Sequence, residues 1–354
     1  MPILQHDAFS TVPGGEHREP YWGKIGRALK TRIRAKKRSR VNPARVFPSS
    51  NRQTDGDVPR ILIGTASWTD KSLIGSGLFY PPRCSSPEER LRFYASQFPI
   101  VEVDSSYYAL PDPRVAQLWA DRTPTDFTFN IKAFRLFTGH QTAPSALPKD
   151  IVEAMGPTGK RNIYYKDMPV ELLAEMWRLY RAGIEPLKYA RKLGAVHFQF
   201  APWVAYHPRN LEHIEECQRQ LEGFRLSIEF RNRTWFEGRH ETATLDFERA
   251  RGLVNVTVDE PQGVTNSIPQ IWEVTHPELA IVRLHGRNHA TWNKKGLSSS
   301  AQRFNYDYTD EELGGLAERI GSIAASSVHV IFNNNYEDQG QRNARTLALI
   351  TETL

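Results

Sequence analysis

Short runs rich in Val, Ile and Phe recur eight times along this chain, at 61–64, 100–103, 127–132, 195–200, 225–230, 253–258, 280–285 and 328–333. Their side chains alternate, as a pleated strand requires. Phe127, Phe129 and Ile131 share a side opposite Thr128, Asn130 and Lys132. Val196 and Phe198 oppose His197 and Gln199, and Leu226, Ile228 and Phe230 oppose Ser227, Glu229 and Arg231. Val254, Val256 and Val258 oppose Asn255, Thr257 and Asp259. Val282 and Leu284 oppose Arg283 and His285, and Val328, Val330 and Phe332 oppose His329 and Asn333. One side of each strand is apolar and suits a covering helix. The other grows polar towards the C-terminal end and is expected to face inward. Helical patterns fall between most of the runs, at about 87–97, 111–121, 169–192, 208–222, 240–251 and 309–325, with 341–353 closing the chain. Alternating strands and helices pair in parallel through right-handed crossovers. Eight such units make an α/β chain of the (β/α)8, TIM-type class, whose sites lie at the C-terminal mouth. A doubly wound sheet would carry a glycine-rich phosphate turn after its first strand, and Gly64-Thr-Ala-Ser-Trp68 is not one.

Charge divides the chain. Residues 1–60 hold 13 Lys/Arg and 5 Asp/Glu, so the other 294 of the 354 residues carry 33 basic and 35 acidic groups. A basic, disordered extension and linker over 1–60 is therefore expected ahead of a near-neutral barrel over 61–354. Residues 24–45 are the basic run, suited to nucleic acid or an acidic partner. The stretch 139–167, between the third and fourth strands, reads as an insertion and a candidate lid. Two cysteines, Cys84 and Cys217, form no CxxC motif and indicate a reducing, cytoplasmic setting. No apolar run is long enough for a transmembrane segment.

The strand ends bring chemistry together. Glu102, Glu229, Asp259 and His285 are the expected catalytic groups, because like charges in one cleft drive pKa values apart. Lys132, Arg231 and Arg287 suit an anionic substrate group, with Gln199 and Asn333 as hydrogen-bonding partners. Trp68, Tyr107 and Trp235 offer rings for a sugar or base, although core packing is the commoner fate of such residues. His197 and His329 read as core histidines, and His140 lies nearer the mouth. The carboxylates and His285 would suit a divalent metal, but the interleaved cations and the lack of HExxH or HxH spacing favour no metal.

Gly64-Thr-Ala-Ser-Trp68, Phe79-Tyr-Pro81, Val101-Glu102 with Ser106-Tyr-Tyr108, and Phe127-x-Phe129-x-x-Lys132 occur in order. Phe198-Gln199, Glu229-Phe-Arg231 with Trp235, Val258-Asp-Glu-Pro261, Arg283-Leu-His-Gly-Arg287, Phe332-Asn-Asn334 and Asn343-Ala344 follow. Over roughly 61–350 the chain resembles the DUF72 (YecE-like, UPF0759) family. The resemblance implies a TIM-type barrel and supports the mouth as the site, without naming a reaction. The first motif departs from the usual GTSGW, with Ala66-Ser67 in place of Ser-Gly. The leading expectation is an enzyme of hydrolase or lyase type, using general acid/base chemistry on a small anionic or sugar-like substrate. A nucleic-acid-binding or metal-dependent nuclease-like barrel assisted by the tail, and a non-catalytic binding barrel, are the alternatives.

Overall fold

The computed structural model describes residues 59–353 apart from 158 and 298. The expectations for the basic extension, including 24–45, lie outside the described residues. Eight parallel strands close into a barrel in sequence order. They are β1 (Arg60–Ala66), β2 (Ile100–Val103), β3 (Thr128–Lys132), β4 (Leu193–Gln199), β5 (Leu226–Glu229), β6 (Val254–Asp259), β7 (Leu279–Leu284) and β8 (Ser327–Phe332). Among the described residues no helix is long and apolar enough to cross a membrane.

Local chemistry starts the covering helices where the pattern places them. Ser86 and Glu89 form a capping box ahead of Pro87–Gln97, and Thr309 with Glu312 does the same for Asp310–Gly321. Pro113 and Pro208 occupy first-turn positions, where a missing N–H costs nothing. The 139–167 stretch is folded onto the body. Thr142 bridges Ile163, the short helix Lys149–Met155 lies between them, and Leu147, Ile151 and Ile163 are buried. Ser67, where the resembled family has glycine, takes φ +65° and keeps the turn in the left-handed region.

Register decides which face points inward, because opposed residues of a parallel ladder share a side. Ser227 opposes Val254, and Val258 opposes Arg283, which in turn opposes Ile331. Val254, Val256 and Val258 therefore face the barrel interior, while Asn255, Thr257 and Asp259 face outward. This reverses the expected parity of the sixth strand. The cause is its covering. The 260–278 connection contains no helix and crosses the outside as irregular chain with free backbone groups. Thr257 Oγ1 donates to the Ile271 carbonyl (2.7 Å), the Asn255 amide to that of Glu273 (3.3 Å), and Thr275 Oγ1 accepts from the Asn255 backbone N–H (2.7 Å). Unpaired backbone needs polar partners, so the polar side of β6 turns towards it.

One buried group stands out in the helical shell. Glu248, on Arg239–Arg251, is fully buried with neither carboxyl oxygen hydrogen-bonded. Burial, against a smaller opposing pull from Arg249, raises its carboxyl well above the usual range. A carboxyl with a raised folded-state pKa destabilises the fold as pH rises above its unfolded value near 4.5. Glu248→Met is expected to stabilise the protein by roughly 1–2 kcal/mol at pH 7. The gain should shrink on approaching pH 5, as read from urea unfolding at both values.

Candidate functional site

The centre of the mouth is a buried ion network. Arg283, on the inward face of β7, is fully buried. Its Nε and Nη2 donate to the two oxygens of Glu102 at 3.0 and 2.6 Å, and its Nη1 donates to Glu229. Gln199 and Arg231 also donate to Glu229, and two histidines lie near it. Gln199 Nε2 lies at 2.6 Å, Arg231 Nη1 at 3.2 Å, and the Nε2 atoms of His197 and His285 at 3.4 Å. Burial alone would raise the Glu229 carboxyl, but the Arg283 guanidinium beside it holds it well below the usual range. The Asn333 amide donates to His285 Nδ1 (2.8 Å), which puts the ring proton on Nε2, facing Glu229. Burial pushes His285 down to about 3, so the ring is neutral at pH 7.

Glu102, Glu229, His285, Gln199 and Asn333 are thus brought together as expected. Glu102 and Glu229 are fully buried with every oxygen engaged, and together with Arg283 they form a rigid floor. The inward carboxylate past β6 is Glu260, which is as fully buried as the other two. It receives Arg231 at 2.7 Å and the Ile268 backbone N–H at 2.8 Å. Its carboxyl is raised by burial, which outweighs Arg231. Arg231 therefore links an ionised carboxylate to one biased towards its acid form, and its side chain keeps 14% exposure, above the Trp292 ring.

Asp259 and Arg287 lie elsewhere. Asp259 points outward from β6 and is gripped by Arg287 Nη2 at 2.7 Å, the Tyr308 hydroxyl at 2.6 Å and Gln270 at 2.6 Å. Arg287 also pairs with Glu312 at 3.0 Å. The Asp259–Arg287 pair ties the β6 and β7 ends to the Asp310–Gly321 helix, outside the central network. Two aromatic expectations also change place. Trp235 is fully buried, stacked on Phe230 at 3.9 Å, with its indole N–H donated to the Val204 carbonyl (2.8 Å). Trp68 packs edge-on against Trp119 at 5.6 Å. Both are shell packing.

Tyr107 and Lys132 form a separate, part-exposed corner at the ends of β2 and β3. Lys132 Nζ lies 3.2 Å from Asp104 and 5.5 Å from the centre of the Tyr107 ring. Arg135 sits over the same ring at 5.2 Å, and His140 meets it edge-on at 5.2 Å. Burial pushes the Tyr107 hydroxyl up to about 12. Trp203 and Tyr108, each more than half exposed, stand at the rim. Among the described residues no cluster of three or more His, Cys, Asp or Glu could hold a metal.

Besides Glu260, two residues outside the expected set matter here. Arg283 had a signal: two inward carboxylates on facing strands demand a buried cation, and Arg283 occupies the inward parity of β7. Arg135 had none, because it lies in a turn whose orientation only tertiary packing sets.

Comparison with known proteins agrees with this architecture. The family described as protein of unknown function DUF72 matches residues 62–353. The UPF0759 protein YunF of Bacillus subtilis (strain 168) is 31% identical over 291 residues, covering 81% of this chain and 93% of that one. A crystal structure of a DUF72 family protein from Enterococcus faecalis V583 superposes with a TM-score of 0.67 at 26% identity, over 82% of this chain and 95% of that one. One from Thermotoga maritima MSB8 gives 0.62 at 26% identity, over 83% and 99%. With a closed eight-stranded barrel and a family match over nearly all the described residues, this chain belongs to the DUF72 family.

Proposed function

We propose that the protein is an enzyme acting by general acid/base chemistry on a small anionic, sugar-like substrate in the barrel mouth. Lys132 and Arg231 face the ligand, and Glu260 rather than Glu229 is the group that exchanges a proton. One observation carries the reading. Two carboxylates share the Arg231 guanidinium, and their environments push them in opposite directions, Glu229 down and Glu260 up. Paired groups with diverging pKa values are how one site holds an acid and a base at neutral pH. The Glu102–Arg283–Glu229 floor keeps Arg231 in place, and the rim aromatics Tyr108 and Trp203 supply apolar surface for a sugar face.

The test uses millimolar panels of small carboxylates, phosphates and sugar acids. Some of these are expected to raise the melting temperature, with affinity weakened about tenfold in Lys132→Gln and Arg231→Gln, the cost of one charge-assisted hydrogen bond. Glu260→Gln should keep affinity within about twofold while abolishing conversion of any ligand the wild type transforms, followed by NMR. A panel in which no anion shifts the wild-type melting temperature removes the proposal.

A further inference from the structure

The arginines around the mouth are neutralised, with one exception. Arg283 is held by Glu102 and Glu229, Arg231 by Glu229 and Glu260, and Arg287 by Asp259 and Glu312. Among the described residues Arg135 has no carboxylate partner, and its buried Nε–H donates to nothing. A buried guanidinium donor is costly to leave unmet. The Arg135 turn is rigid. Its backbone N–H donates to the Tyr107 carbonyl (3.1 Å), while Phe134 and Phe137 anchor it in the core, Phe137 stacked on Trp177 at 3.6 Å.

His140 stands beside it with a defined tautomer. The Thr138 hydroxyl donates to the Arg135 carbonyl (3.1 Å), so its oxygen is left to accept from His140 Nδ1–H (2.9 Å). Nε2 then carries a lone pair and, among the described residues, no hydrogen-bond partner. Gly139, at φ +78°, allows the bend, where a Cβ would come within 3.0 Å of Val204. Trp203 donates its indole N–H to the Gly139 carbonyl (3.0 Å) and meets the His140 ring edge-on. The other charged or titratable groups here are Tyr107, Tyr108, Lys132 and Asp104, and Asp104 offsets Lys132. Burial and the two cations push His140 down to about 4, which keeps the imidazole neutral at pH 7.

We propose that this corner holds the anionic end of a small hydroxy acid, with Arg135 taking the carboxylate end-on through its two Nη groups and His140 Nε2 accepting the neighbouring hydroxyl. The inference rests on the mouth binding small anions and specifies which anions. An unpaired guanidinium fork matches a carboxylate in two parallel hydrogen bonds. A neutral imidazole acceptor next to it discriminates in favour of an anion that brings its own donor, because an anion without one leaves Nε2 unmet.

The experiment is isothermal titration of the full chain at pH 7 with glycolate and with acetate, which differ by one hydroxyl, and with gluconate as a polyhydroxy probe. Glycolate and gluconate are expected to bind about tenfold or more tightly than acetate. In His140→Leu that preference should collapse to less than about twofold while acetate binding persists, and Arg135→Gln should abolish binding of all three. Equal binding of glycolate and acetate to the wild type overturns the inference, as does a preference that survives in His140→Leu. Carboxylate binding that ignores Arg135 and His140 but weakens in Arg231→Gln overturns it and leaves the mouth reading standing. Absence of binding by every small anion overturns both.

Discussion

Arg283→Met is expected to lower stability by roughly 3–5 kcal/mol, the range for breaking one side of a buried ion pair. The substitution keeps much of the side-chain volume, so the loss would come from charge rather than from a cavity. Arg283 is fully buried and neutralises Glu102 through both carboxylate oxygens and Glu229 through one. Without it two carboxylates remain in the barrel with no water to solvate them. Arg231, engaged with Glu260, cannot cover both. A domain has only about 5–15 kcal/mol of net stability, so such a loss removes a large share of it. Urea unfolding at pH 7 reads the effect as a drop in midpoint at constant slope. Adding Glu102→Gln and Glu229→Gln to Arg283→Met should recover part of the loss, because the uncompensated charges are then gone. An Arg283→Met chain as stable as the wild type would remove the ionic floor as a structural account.

Acidification is the second large effect. Burial pushes His285 and His329 to about 3, and each is fully buried in the barrel interior. The ordinary value is 6.5. Between those limits the unfolded chain binds a proton that the native histidine does not, so stability falls as pH drops below about 6.5. Each such group contributes a slope of about 1.4 kcal/mol per pH unit. The two together are expected to cost roughly 3 kcal/mol between pH 6.5 and pH 5. His197 and His140 are displaced in the same direction. Glu229, lowered, adds its own loss only below its unfolded value of 4.5. His329 hydrogen-bonds Asn130 low in the barrel, away from the mouth groups (3.1 Å). His329→Gln should therefore reduce the acid slope by about 1.4 kcal/mol per pH unit without touching the mouth. The measurement is urea unfolding at pH 7, 6 and 5. A stability that stays flat across that range would show that these histidines ionise freely in the native state.

Much of the architecture was legible in the residues. Strand count, parallel order and the apolar outward sides of β3, β4, β5, β7 and β8 follow from a period of two, which is local. The β6 parity failed because alternation says that two faces differ, not which is inward. That depends on what covers the strand, and here the cover is non-helical chain that needs hydrogen bonds. The site was partly legible for the same reason. Glu102, Glu229, Gln199 and His285 share the inward face by parity and register. Asp259 inherited the wrong face from β6, and Trp235 and Trp68 belong to the packed shell.

The repeat of alternating runs determined that this chain closes an eight-stranded barrel with polar strand ends, because strand periodicity is written in adjacent residues. The tertiary structure alone decided how the charges are matched. Residues 102, 229 and 283 meet only when the barrel closes, and Arg135 is left without a carboxylate only because a buried aromatic turn holds it beside Tyr107 and His140. Electrostatic pairing in a low-dielectric interior depends on distances of a few ångströms between segments far apart in the chain, and spacing along the sequence does not contain them.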